Sequence, residues 1–167
     1  MEEVTPMSDL LTHVLAAYVL ATVASWSLDW LEPHHVPMAM VGAVVPDAAK
    51  VYLLTGTDRF TVAGVTGSWY ALQTVGAAFC FSLAGSLLVP KRERRVVLAV
   101  LLGAVGLHVT MDYMVIRAGG VAPPYLYPLT WAELPSLDVY LSSSRWPSLV
   151  AVPTAGVVWL VDRSRRP

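Results

Sequence analysis

Long apolar runs, broken by short polar segments, dominate this chain of 167 residues. A helix needs roughly 20 apolar residues to cross the hydrocarbon of a bilayer. The runs at 68–89 ("SWYALQTVGAAFCFSLAGSLLV") and 96–116 ("VVLAVLLGAVGLHVTMDYMVI") have that length, and the one at 10–26 falls slightly short. The run at 36–54 is interrupted by Pro46, Asp47 and Lys50, which predicts a kinked or partly re-entrant helix. The last, 146–161, is short and contains Pro153. The pattern predicts an all-α fold: a polytopic membrane helix bundle of about five transmembrane helices, forming one integral membrane domain over 1–167.

Composition points the same way. Hydrophobic residues make up 56% of the chain and charged ones 14%, against about 25% charged in a soluble domain. The net charge of −1 says little about partners, because the charges cluster. "PKRERR" (Lys91, Arg92, Arg94, Arg95) and "DRSRRP" (Arg163, Arg165, Arg166) would share one side of a five-span bundle, and the positive-inside rule makes that side cytoplasmic. They read as topology signals and not as a nucleic-acid site. The N-terminus then lies outside, and its acidic start lacks the positive segment of a cleaved secretory signal. The connection 117–145, rich in proline and carrying Tyr125, Tyr127, Trp131 and Tyr140, becomes an extracytoplasmic loop whose rings suit the membrane–water interface. The expected location is the cell membrane, in contact with lipid. The single cysteine, Cys80, reads as a small packed hydrophobe, and Gly103 and Gly106 as points of close helix approach.

Ionisable residues inside apolar segments are costly, at least about 2.5–3.5 kcal/mol for Asp or Lys on insertion scales, so they persist when paired, metal-bound or facing water. Helix direction alternates across a membrane, so the starts of odd helices and the ends of even ones share a level. His13 with Asp9 one turn before it, Asp47, Gln73, and His108 with Asp112 all fall at the outer level on this rule. His108 and Asp112, at i and i+4, project from one helix face. Two imidazoles and two carboxylates at one level suit a divalent metal, zinc or manganese. The competing reading of each is local: an intrahelical hydrogen bond for His108–Asp112, a helix-packing group for His13, a helix cap for Asp47.

The segments "DLLTH", "MVGAVVPD" and "LLGAVGLHVTMDYM", with "YPLTW" and "YLSSSRWP" in the outer loop, resemble the membrane-bound metal-dependent hydrolases, a family whose bacterial namesake is a LexA-regulated inner-membrane protein and which has a distant likeness to zinc phospholipase C. The resemblance implies that His13, Asp47, His108 and Asp112 hold the metal. It also marks two departures: Gln73 stands where that family has a histidine, and Ser144 where an aspartate is expected.

Three functions follow as expectations. The leading one is a membrane hydrolase acting on a phosphoester or other ester, with lipid a candidate substrate. In it Gln73 orients water or substrate, Asp9 supports His13, and Arg117 or Arg145 meets a phosphate oxygen. The second is a non-catalytic membrane protein that keeps the fold with an altered metal site. The third, an ion carrier, is disfavoured because no inverted repeat is present.

Overall fold

The computed structural model describes residues 7–51, 54, 56–57, 59–117 and 119–165, and for 7–9, 49 and 51 the backbone alone. Five α-helices stand among the described residues: α1 (Met7–Ser25), α2 (Val36–Gly42), α3 (Val75–Leu87), α4 (Arg94–Tyr113) and α5 (Trp146–Arg165). Short 3₁₀ turns cover Pro33–His35, Val45–Val51 and Trp69–Gln73. One antiparallel hairpin pairs β1 (Arg59–Val62) with β2 (Val65–Ser68).

The expected five-span bundle is not what forms. Among the described residues, only α4 is both long and apolar enough to cross a membrane. At about 1.5 Å per residue, the 13 residues of α3 fall well short of the roughly 30 Å of hydrocarbon. At the start of the apolar run at 36–54, α2 covers only 7 residues. Pro37 fits the first turn of α2, whereas Pro46 disfavours helical backbone before it, and the chain tightens into a 3₁₀ turn around Asp47. The run at 68–89 loses its start to the hairpin. There Ala63 and Gly64 take positive φ (49° and 80°), the backbone of a two-residue hairpin turn. Phe60 lies across Gly67, its cross-strand partner, where an added Cβ would come 2.5 Å from the ring. Thr74 then caps α3 by accepting from the Ala77 N–H at 3.4 Å. Helix α5 has 20 residues but ends in Asp162, Arg163 and Arg165.

Helix α4 is the centre of the molecule. Its buried face packs on α1 and α2 through small residues: Ala17 and Ala21 on α1, Ala39 on α2, Ala43 just beyond it, and Val100 and Ala104 on α4. Close approach is enforced at Gly42, where a Cβ would meet Ala104 Cβ at 2.9 Å and Leu101 O at 3.0 Å. Gly103 and Gly106, expected to serve this role, are exposed and face open space, and Cys80 is exposed as well. Helix α1 runs parallel to α5, tied by a Thr12–Ser148 hydroxyl contact of 2.8 Å near their starts and by Trp26 Nε1 donating to Asp162 Oδ1 at 3.1 Å near their ends.

The segment after α4 is ordered by backbone hydrogen bonds and not by a helix. Ile116 N–H donates to Tyr140 O at 2.7 Å, and Ala122 N–H to Leu134 O at 2.7 Å. Val75 and Gly76 N–H donate to Tyr125 O and Tyr127 O at 2.7 and 2.9 Å, docking this segment on the start of α3.

Candidate metal centre

Helix α1 contributes His13, and α4, antiparallel to it, contributes His108 and Asp112 one turn apart. Both imidazoles are fully buried, and Asp112 is 5% exposed. Their rings stack with centroids 4.1 Å apart and planes 28° apart. That stacking places the two Nε2 atoms side by side against one carboxylate. His13 Nε2 lies 3.3 Å from Asp112 Oδ1, and His108 Nε2 lies 3.3 Å from Asp112 Oδ2. One ligand atom from each of the three residues falls within 4.8 Å of the others.

The backbone sets the tautomer of His108. Its Nδ1 lies 2.6 Å from the Ala43 carbonyl oxygen, which can only accept, so Nδ1 carries the proton. In the neutral ring Nε2 is then a lone pair, and it faces Asp112 Oδ2 at 3.3 Å and Asp47 Oδ1 at 3.6 Å. Neither contact has hydrogen-bond geometry at His108 Nε2. A buried lone pair turned on two carboxylates is repulsive, and either a proton on Nε2 or a cation between the groups relieves it. An imidazole whose other nitrogen donates to a backbone carbonyl is also the usual form of a metal-bound histidine. The donor set of two imidazoles and a carboxylate fits a divalent cation of borderline softness.

Asp47 is buried beside the cluster, on the turn that follows α2. Lys50 Nζ sits 2.7 Å from its Oδ1, an ion pair that is close but off the angle of a hydrogen bond. The structure thus brings together His13, His108 and Asp112, and leaves Asp47 at their edge, shared with an ammonium. Gln73 is buried on the turn Trp69–Gln73, which packs against the Asp47 turn, but no hydrogen bond joins it to the cluster among the described residues. The side chain of Asp9 lies outside the described residues. Arg145 is exposed just before α5, whereas Arg117 reaches back to the Asp112 carbonyl oxygen, its Nη2 donating at 3.4 Å.

A second histidine cluster, which sequence reasoning missed, occupies the other end of α2. His35 Nε2 and His34 Nε2 lie 3.0 and 3.6 Å from Glu93 Oε2, at the start of α4. Here Glu32 N–H donates to His35 Nδ1 at 3.1 Å, so Nε2 carries the proton and donates to Glu93. Glu93 is 58 residues from His35, and no local spacing could have announced the pair.

Comparison with known proteins adds no neighbour: no family model, no curated protein and no solved structure matches the chain.

Proposed function

We propose that the chain is a membrane-bound, metal-dependent hydrolase of an ester or phosphoester, with the metal held by His13, His108 and Asp112. The observation that carries this reading is the Nε2 lone pair of His108, turned on two buried carboxylates beside a second imidazole. A bound zinc or manganese ion supplies a Lewis acid that acidifies water and polarises an ester oxygen. The chain's own residues do the rest. Ala43 O holds the His108 ring in its ligating tautomer, and Asp112 presents one oxygen to each imidazole. Asp47, at the edge of the cluster, is the carboxylate positioned to take a proton once Lys50 releases it. Burial of both rings excludes bulk water from the donors.

Membrane attachment is supported by α4 and by the apolar side chains that α1, α3 and α5 leave exposed, among them Leu20, Phe79, Phe81, Leu149 and Trp159. The helix directions put Lys91 to Arg95 and Arg163 to Arg165 at the end away from the metal cluster, which the positive-inside rule would make cytoplasmic. The family resemblance of the His13, Asp47 and HxxxD elements points to the same chemistry. A second reading, a metal centre without turnover, draws on Gln73 in place of histidine and on the Lys50–Asp47 ion pair.

The test is the metal content of the detergent-purified protein beside a His108→Ala, Asp112→Ala double variant. Near-stoichiometric zinc or manganese, lost in the variant, is the expected result. A native protein that holds no metal after reloading overturns both readings, and metal without turnover on any ester leaves only the second.

A further inference from the structure

The hairpin, the turn before α3 and the segment after α4 line an open cavity of about 490 Å³, within the range of small-molecule sites. Its walls include Arg59 and Arg117, the hydroxyls of Ser68 and Thr74, the Trp131 ring and one carboxylate, Glu133. Arg59 and Ser68 face each other across the ends of the hairpin, which brings the guanidinium and the hydroxyl to one rim.

Arg117 is fixed in place. Its Nη2 donates to the Tyr125 hydroxyl at 2.7 Å and to the Asp112 carbonyl oxygen at 3.4 Å, while its Nε is buried with no hydrogen-bond acceptor. Neither Arg59 nor Arg117 makes an ion pair among the described residues. Two guanidiniums without carboxylate partners in the lining, against a single carboxylate, leave the cavity positive. Guanidinium groups bind phosphate oxygens through paired N–H donors. The contact of Arg117 with the Asp112 carbonyl oxygen ties this lining to the end of α4, where His108 and Asp112 stand.

We infer that this cavity binds the phosphate group of a phosphoester, with Arg59 and Arg117 as its anion contacts. The inference deepens the hydrolase reading, and rests on it for the fate of the ester: the substrate is anionic, and its phosphate is seated at the arginines. Ser68 adds a hydroxyl to the same lining, and Glu133 is placed to accept from a hydroxyl of a polyol headgroup. The same phosphate chemistry is offered by a lipid headgroup and by a soluble phosphate ester.

The test is calorimetric titration of the detergent-purified, full-length protein, zinc-loaded and chelated, with inorganic phosphate and separately with micelles containing phosphatidic acid. Arg59→Gln lies on the exposed hairpin and spares the core, so it serves beside Arg117→Gln, which also loosens Tyr125. Loss of one charged contact should weaken phosphate binding about tenfold, with or without zinc. Tighter binding of the micelles than of inorganic phosphate, lost in both variants, identifies a lipid headgroup. Equal binding identifies a soluble ester. Wild-type affinity in both variants, or phosphate binding that vanishes with zinc alone, overturns the cavity as an anion site even if esters are hydrolysed. Arginine-dependent binding without any turnover retains the cavity and removes the hydrolase.

Discussion

Among the described residues two histidine–carboxylate clusters stand, one at each end of α2, and they differ in where an imidazole proton sits. At the Ala43 end a carbonyl oxygen takes the Nδ1 proton of His108, and Nε2 is left as a lone pair against Asp47 and Asp112. At the His35 end a backbone N–H occupies Nδ1, and Nε2 donates to Glu93. The residue types are nearly the same. One backbone group, carbonyl or amide, leaves the first cluster a candidate cation site and the second a satisfied hydrogen bond. Zinc at His35 Nε2 would require the proton on Nδ1, head-on against the Glu32 N–H. Ligand identity alone therefore does not define a metal site; the group behind the ring decides.

The comparison breaks most sharply on zinc affinity. His108→Ala removes a ligand and should weaken zinc binding by at least about 100-fold, whereas His35→Gln should leave it unchanged. Competition titration with a zinc-sensitive dye reads both. Zinc loss in His35→Gln with retention in His108→Ala would reverse the assignment of the two clusters. A smaller effect is expected at Gly42, which seats α2 on α4 between the clusters. In Gly42→Ala the new Cβ meets Ala104 Cβ at 2.9 Å and the Leu101 carbonyl at 3.0 Å, so α2 must move outward. The expected cost is about 1–3 kcal/mol of stability, read by thermal unfolding. Zinc affinity should fall with it, since Ala43 O, which fixes the His108 tautomer, lies one residue on. An unchanged melting temperature and affinity would mean that the α2–α4 contact positions nothing.

Lys50 gives the next, more modest test. Its ammonium sits against Asp47 on the border of the cluster and competes with any cation held there. Lys50→Gln frees the carboxylate and removes a positive charge, so zinc should bind about tenfold tighter. Weaker binding in this variant would show instead that the Lys50–Asp47 pair holds the turn in shape for the site.

How much of this was legible in the sequence depends on range. His108 and Asp112 share a helix face by their i, i+4 spacing, and alternation of helix direction put His13 at their level, where it lies. The same counting placed Asp47 nearby but gave no sign that Lys50, three residues on, would claim it. The span count failed for a physical reason: apolar content was read as helix length. Pro46 cuts one run, and in the other the Ala63–Gly64 turn diverts the chain into a hairpin before α3 begins. Gly103 and Gly106 misled because a glycine in an apolar helix signals close packing only if it faces a neighbour, and facing is tertiary. The tautomers were beyond reach, since each depends on one backbone atom: Ala43 O, 65 residues from His108, and Glu32 N–H beside His35.

The smallest expected effect separates the clusters by pH. Glu93 is held below the ordinary carboxylate pKa, first by the hydrogen bond from His35, then by His34 and the charge of Arg92, against a smaller opposing effect of burial. The titratable and charged groups facing it are therefore His34, His35 and Arg92, with Glu32 sharing the His34 ring. A carboxylate depressed in the folded state contributes stability that is present above its unfolded pKa and lost as pH falls through the folded one. Its side chain is 24% exposed, so solvent screens the interaction and the effect is slight. Wild type should melt above Glu93→Gln at neutral pH, and the two melting curves should converge as acid titrates Glu93 below the usual carboxylate range. Zinc affinity measured at neutral pH should be the same in both proteins. Melting curves that stay parallel into acid would mean that His35 holds a neutral acceptor and that no ionised hydrogen bond forms at the start of α4.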